Sequence, residues 1–168
     1  MAVMTILKWP DPRLSVASAP LGRTSPVVAE LADAMLETMY AAPGRGLAAP
    51  QVGVMARMFV MDMGWKDGPA DPWVMIDPVV EWVSDGTAAG PEACLSLPGI
   101  EAEVTRPTEL DVRWIGLDGE THRARLEGFE AICAQHEIDH LNGILTLDRV
   151  SQAARLDLVS AYFVPGTE

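Results

Sequence analysis

Residues 136–140 read His136-Glu137-Ile138-Asp139-His140, within a stretch from about Gly128 to Asn142 whose apolar residues recur at helical spacing and which Gly143 stops. On an α-helix, residues four apart are offset by about 40° in angle and about 6 Å in rise. Both imidazoles therefore leave one face, the one that also carries Phe129, Ile132 and Cys133, and can grip one metal ion. Glu137 is carried beside them without having to be a ligand. That is where a general base for metal-activated water must stand.

Two histidines alone do not hold a catalytic metal; a third protein ligand is needed, with one position left for water or substrate. A thermolysin-like site wants a Glu on a following helix, and the only Glu after His140 is Glu168 at the chain end. A metzincin wants a third His six residues after the second, where this chain has Thr146. A neutral peptidase thus lacks its third ligand. The remaining strong donor is Cys94, although taken alone it reads as a small buried hydrophobe. His122 sits among Thr121, Arg123 and Arg125 and reads as a surface residue.

The 168 residues suit one domain, spanning 1–168, with a single core. Ser25 and Pro26 open a first helix to Tyr40, with Leu31, Met35 and Met39 as core filler. Strand-like segments follow at Met55–Met63 around Met58-Phe59-Val60-Met61, Trp73–Ile76, Val79–Val83, Leu110–Ile115 and Thr121–Leu126, and a short helix at Ser151–Phe163. Helices against antiparallel hairpins make an α+β fold, with the sheets packed around the central metal-binding helix. Twelve Lys and Arg against 24 Asp and Glu give a formal charge of -12, which argues against nucleic-acid binding. No apolar run spans a bilayer, and the apolar opening from Ala2 to Leu7 is too short for a signal-peptide core, so a cytoplasmic protein without a membrane role is expected. In that reducing compartment Cys94 and Cys133 are not expected to form a disulfide.

A third segment, Gly44-Arg45-Gly46-Leu47-Ala48-Ala49-Pro50-Gln51-Val52-Gly53, reads as a loop whose glycines let a ligand chain approach closely, at Gly46 among others. Gln51 adds a carboxamide donor able to polarise a carbonyl.

Together the three segments resemble the peptide deformylase family. The resemblance covers nearly the whole chain and is carried by Ile6-Leu7, Pro10-Asp11-Pro12-Arg13-Leu14, Glu37-Thr38-Met39-Tyr40, Gly44 to Gly53, Glu92 to Ser96 with Pro98, and Gln135 to Gly143. It implies one divalent metal, Fe²⁺ by family expectation or Zn²⁺, held by Cys94, His136 and His140. It also implies Glu137 as base, and Gln51 with the Leu95 backbone N–H as oxyanion donors. The implied activity is removal of the formyl group from N-formyl-methionyl nascent peptides, with release of formate, by a monomer.

Three positions depart from the family pattern, all expected at the substrate cleft. Ala93 stands where glycine is usual, Arg45 where an aliphatic residue is typical, and Glu101 where many members carry a base. A negative Glu101 is expected to repel a peptide carboxylate, which makes a deacylase with altered acyl or peptide preference the alternative reading. Cys133 is expected in the side-chain pocket. After Arg149 the only base is Arg155, so the basic tail helix by which some relatives engage the ribosome is not expected here, nor is stable ribosome docking. A non-catalytic paralogue is a further alternative, against which stand the five retained residues Gln51, Cys94, His136, Glu137 and His140.

Overall fold

A computed structural model describes residues 3–163; Glu168, weighed above as a ligand, lies outside them. Helix α1 spans Pro26–Ala41. The Ser25 hydroxyl accepts from Val28 N at 3.2 Å and Pro26 occupies the first turn, so two of the donors that a helix start leaves unpaired are dealt with. Val28, Ala32, Met35 and Met39 recur at helical spacing and are buried.

Strands β1 (Gly46–Ala48), β2 (Met58–Met61), β3 (Trp73–Val83), β6 (Glu109–Ile115) and β7 (Thr121–Glu127) form one antiparallel sheet in the order β1-β2-β3-β6-β7; β4 (Thr87–Ala93) and β5 (Glu101–Pro107) form a separate hairpin. Because side chains alternate along a strand, β2 serves two cores. Met58 and Val60 meet α1, whereas Phe59 and Met61 face the helix α2, Gly128–Leu141, through its Ala131, Ala134, Ile138 and Leu141. The sheet therefore lies between α1 and α2. The last helix, α3 (Gln152–Tyr162), packs Leu158, Val159 and Tyr162 against Cys94, Leu97 and Leu147 behind the hairpin.

The α+β architecture with antiparallel sheets around α2 agrees with the sequence reading, and three details differ from it. The segments 73–76 and 79–83 are one strand, not two. Asp77 sits at φ 48° where the register shifts, and its carboxylate accepts from the Leu21 and Gly22 amides at 2.8 and 2.6 Å. The sheet thus continues through a bulge, a place that tolerates Pro78. The loop around Gly46 contains a three-residue edge strand, β1, and the hairpin β4–β5 was not expected at all.

Among the described residues, no helix is long and apolar enough to cross a membrane. Cys94 and Cys133 are free thiols.

Candidate metal centre and cleft

Helix α2 carries two working faces. Its core face is small and apolar, which lets the helix lie close on the sheet; its other face opens onto a cleft of about 820 Å³. Phe129, Ile132, Cys133, His136 and Glu137 line that cleft, and the apolar Phe129 there is 79% exposed. Gly143 ends the helix at φ 72°, and a Cβ there would stand 2.7 Å from the Ser15 backbone, so glycine is required.

The hairpin brings Cys94 to this face. Cys94 Sγ lies 3.4 Å from His140 Nε2, which lies 3.3 Å from His136 Nε2. A ligand atom from each residue falls within 4.8 Å of the other two. Burial holds His140 well below the ordinary imidazole range, helped by nearby His136 and Arg106. It is therefore neutral, the form that ligates. Burial likewise opposes charge on His136, but hydrogen bonds to Cys94 and Glu92 and the nearby Glu137 pull it well above the usual range. The acceptors converging on this one imidazole make a place where positive charge is favoured. A thiolate and two imidazoles suit a single borderline-soft ion there.

Glu137 Oε1 stands 4.0 Å from His136 Nε2, and Oε2 is buried without a hydrogen-bond partner among the described residues. Burial pushes this carboxyl up to about 7, only partly offset by His136 and Arg106. It is poised to take and return a proton near neutral pH. Gln51 Oε1 accepts from Ala48 N at 2.9 Å, which orients Nε2 toward Ser96 Oγ at 3.1 Å and Cys94 Sγ at 3.8 Å. Leu95, next to Cys94, lines the cleft. A Cβ on Gly46 would meet Cys133 Sγ at 2.8 Å and Glu137 Oε1 at 3.0 Å, so the β1 backbone packs directly on the carboxylate.

The polypeptide deformylase family matches residues 3–156. The chain belongs to it. Among curated relatives, a peptide deformylase of Afipia carboxidovorans is 45% identical over 155 residues, covering 92% of this chain and 91% of the relative. One of Agrobacterium fabrum is 44% identical over 163 residues, covering 97% and 95%. The crystal structure of the Ehrlichia chaffeensis peptide deformylase in complex with actinonin superposes with a TM-score of 0.89 at 35% identity, covering 95% of each chain. Membership makes the chain an enzyme, and the family's metal dependence agrees with the cluster described above.

Of the residues named from sequence, Cys94, His136, His140, Glu137 and Gln51 come together, and Leu95, Gly46, Arg45, Ala93 and Cys133 line the cleft with them. Glu101 does not line it. This exposed residue pairs with Ala93 at the hairpin's end. His122 is no part of the cluster: it stacks on Trp114 and contacts Asp118 at 2.9 Å.

Sequence reasoning missed a buried layer behind the ligands. Glu92 Oε1 stands 2.9 Å from His136 Nδ1; Arg106 donates to both Glu92 oxygens at 2.7 and 2.9 Å and to Asp139 Oδ2 at 2.9 Å; Arg149 donates to Asp139 at 2.6 and 3.0 Å. A carboxylate at Nδ1 keeps the proton there and leaves the Nε2 lone pair for a metal. The alternation in β5, with Ala102, Val104 and Arg106 pointing inward, was the available signal for Arg106.

Proposed function

We propose that the chain hydrolyses the formyl amide of N-formyl-methionyl peptides, with Cys94, His136 and His140 as metal ligands, Glu137 as base, and Gln51 and the Leu95 N–H as oxyanion donors. A divalent cation held by the three ligands supplies Lewis acidity to the water and to the formyl oxygen.

Glu137 accepts a proton as water attacks the formyl carbon. The developing oxyanion is met by Gln51 Nε2–H and the Leu95 amide. Glu137 then passes the proton to the departing amine, so the C–N bond breaks and formate and a free N-terminus are released. The methionine side chain is received by the apolar stretch of α2 between Phe129 and Cys133, with Gly46 admitting the peptide backbone and Ala93 bounding the opposite wall. The observation that carries this reading is the convergence of Cys94 Sγ and two imidazole nitrogens beside the buried Glu137 carboxylate.

The donors accommodate Fe²⁺ and Zn²⁺ alike, and the family resemblance favours Fe²⁺. We read residues 1–168 as one catalytic unit, working in the cytosol on nascent chains. It does so without stable ribosome docking through α3, whose one base, Arg155, is paired with Asp148 at 2.9 Å.

Formate release from a formyl-Met peptide by the Fe²⁺ form tests the reading. Wild type turns over, and Glu137→Gln loses about 10² to 10⁴ in kcat. Activity that survives the substitution excludes the mechanism.

A further inference from the structure

The chain has two lysines, Lys8 and Lys66, and both line the cleft, as does Arg45. The acidic residues lining it are Glu92 and Glu137, 9% and 4% exposed, and Glu92 is engaged by Arg106 and His136. Among the described residues, every exposed charge on the cleft wall is therefore positive, on a chain of formal charge -12. Glu101, the residue expected to repel a carboxylate, is exposed at the edge of that wall, paired with Ala93 and next to Ile100.

Two of these cations are held at one rim. Lys66 Nζ donates to Pro43 O at 3.1 Å and Trp65 Nε1 donates to Gly44 O at 2.9 Å, which ties the 64–67 turn to the segment carrying Arg45. Among the described residues, the Arg45 guanidinium meets only Asp67, at 3.7 Å, in a pair whose side chains are 42% and 84% exposed. So open a pair contributes little and yields readily to a better carboxylate. Arg45 lines the cleft and directly precedes Gly46, whose backbone packs on Glu137. An extended peptide advances about 3.3–3.6 Å per residue, so the residues just after the methionine pass this rim.

We infer that the cleft selects formylated peptides bearing an acidic side chain within the first few residues after methionine, through Arg45 with Lys66 and Lys8. The inference rests on the deformylase reading above. The planar guanidinium takes the carboxylate as a bidentate partner, and the lysines supply the attracting field.

The experiment is formate release by the metal-loaded enzyme from equal-length formyl-Met peptides with Asp, Asn or Lys at the second or third position. The Asp peptide is expected to exceed its Asn counterpart by about 3- to 10-fold in kcat/KM, chiefly through KM, with the Lys peptide lowest. The gap shrinks in high salt. Arg45→Gln brings the Asp-to-Asn ratio close to one, and Asp67→Asn raises it by freeing the guanidinium. Equal kcat/KM for all three peptides with formate still released overturns the selection and leaves the deformylase reading standing. Absence of formate from every peptide overturns that reading and the selection with it.

Discussion

Glu92 Oε1 lies 2.9 Å from His136 Nδ1, so a carboxylate from the strand that delivers Cys94 also sets the orientation of a ligand on α2. Glu92→Gln keeps the shape and removes the charge. Metal affinity is expected to fall about 10- to 100-fold, measured by chelator competition. An unchanged affinity would deny Glu92 its orienting role.

Arg106 is 5% exposed and holds two buried carboxylates, Glu92 and Asp139, together. Replacing it with Met leaves both facing each other without their shared cation. Arg106→Met should cost about 3–5 kcal/mol in urea unfolding at matched metal content. A loss under about 1 kcal/mol would mean the network adds little once formed.

Gly46→Ala drives a methyl to 2.8 Å from Cys133 Sγ and 3.0 Å from Glu137 Oε1. The sulfur side is easier to relieve than the carboxylate side. We expect kcat/KM to drop about 10²-fold, with part of it restored in Gly46→Ala/Cys133→Ala. Additive losses in the double variant would place the damage elsewhere.

At the surface, hydrogen bonds from the Arg13 side chain and backbone amide hold the Asp11 carboxyl at about 2, down from 3.8. Because its folded pKa is depressed, Asp11 adds stability above about pH 4, and that share disappears as pH falls toward 2. Carboxyl-carbon NMR should show the midpoint near 2, and Arg13→Gln should return it toward 3.8.

The chemistry was legible where it was local. Ser25 and Pro26 announce α1, and the His136/His140 spacing with Gly143 announces α2, because caps and helical periodicity are short-range signals. Strand β4 escaped because Ala88-Ala89-Gly90-Pro91 lacks the bulky residues that mark a pleated, half-buried surface. Pro78 split β3 on paper, and only the tertiary contacts of Asp77 with Leu21 and Gly22 show why the strand continues. Cys94 stood out as the remaining strong donor, but its place as third ligand came from the family resemblance, since nothing local ties it to histidines 42 and 46 residues on. Nothing local marks Arg106 and Asp139 for burial; the hairpin folds over α2 and buries them against each other, with the half-exposed Arg149 pairing to Asp139 from outside.

X-ray absorption at the metal edge, on protein purified without oxygen, measures the coordination directly. The expected spectrum shows one ion per chain with one sulfur and two imidazole nitrogens, and Cys94→Ser removes the sulfur scattering. An ion bound with full stoichiometry but no sulfur neighbour in the wild type would contradict the site proposed here.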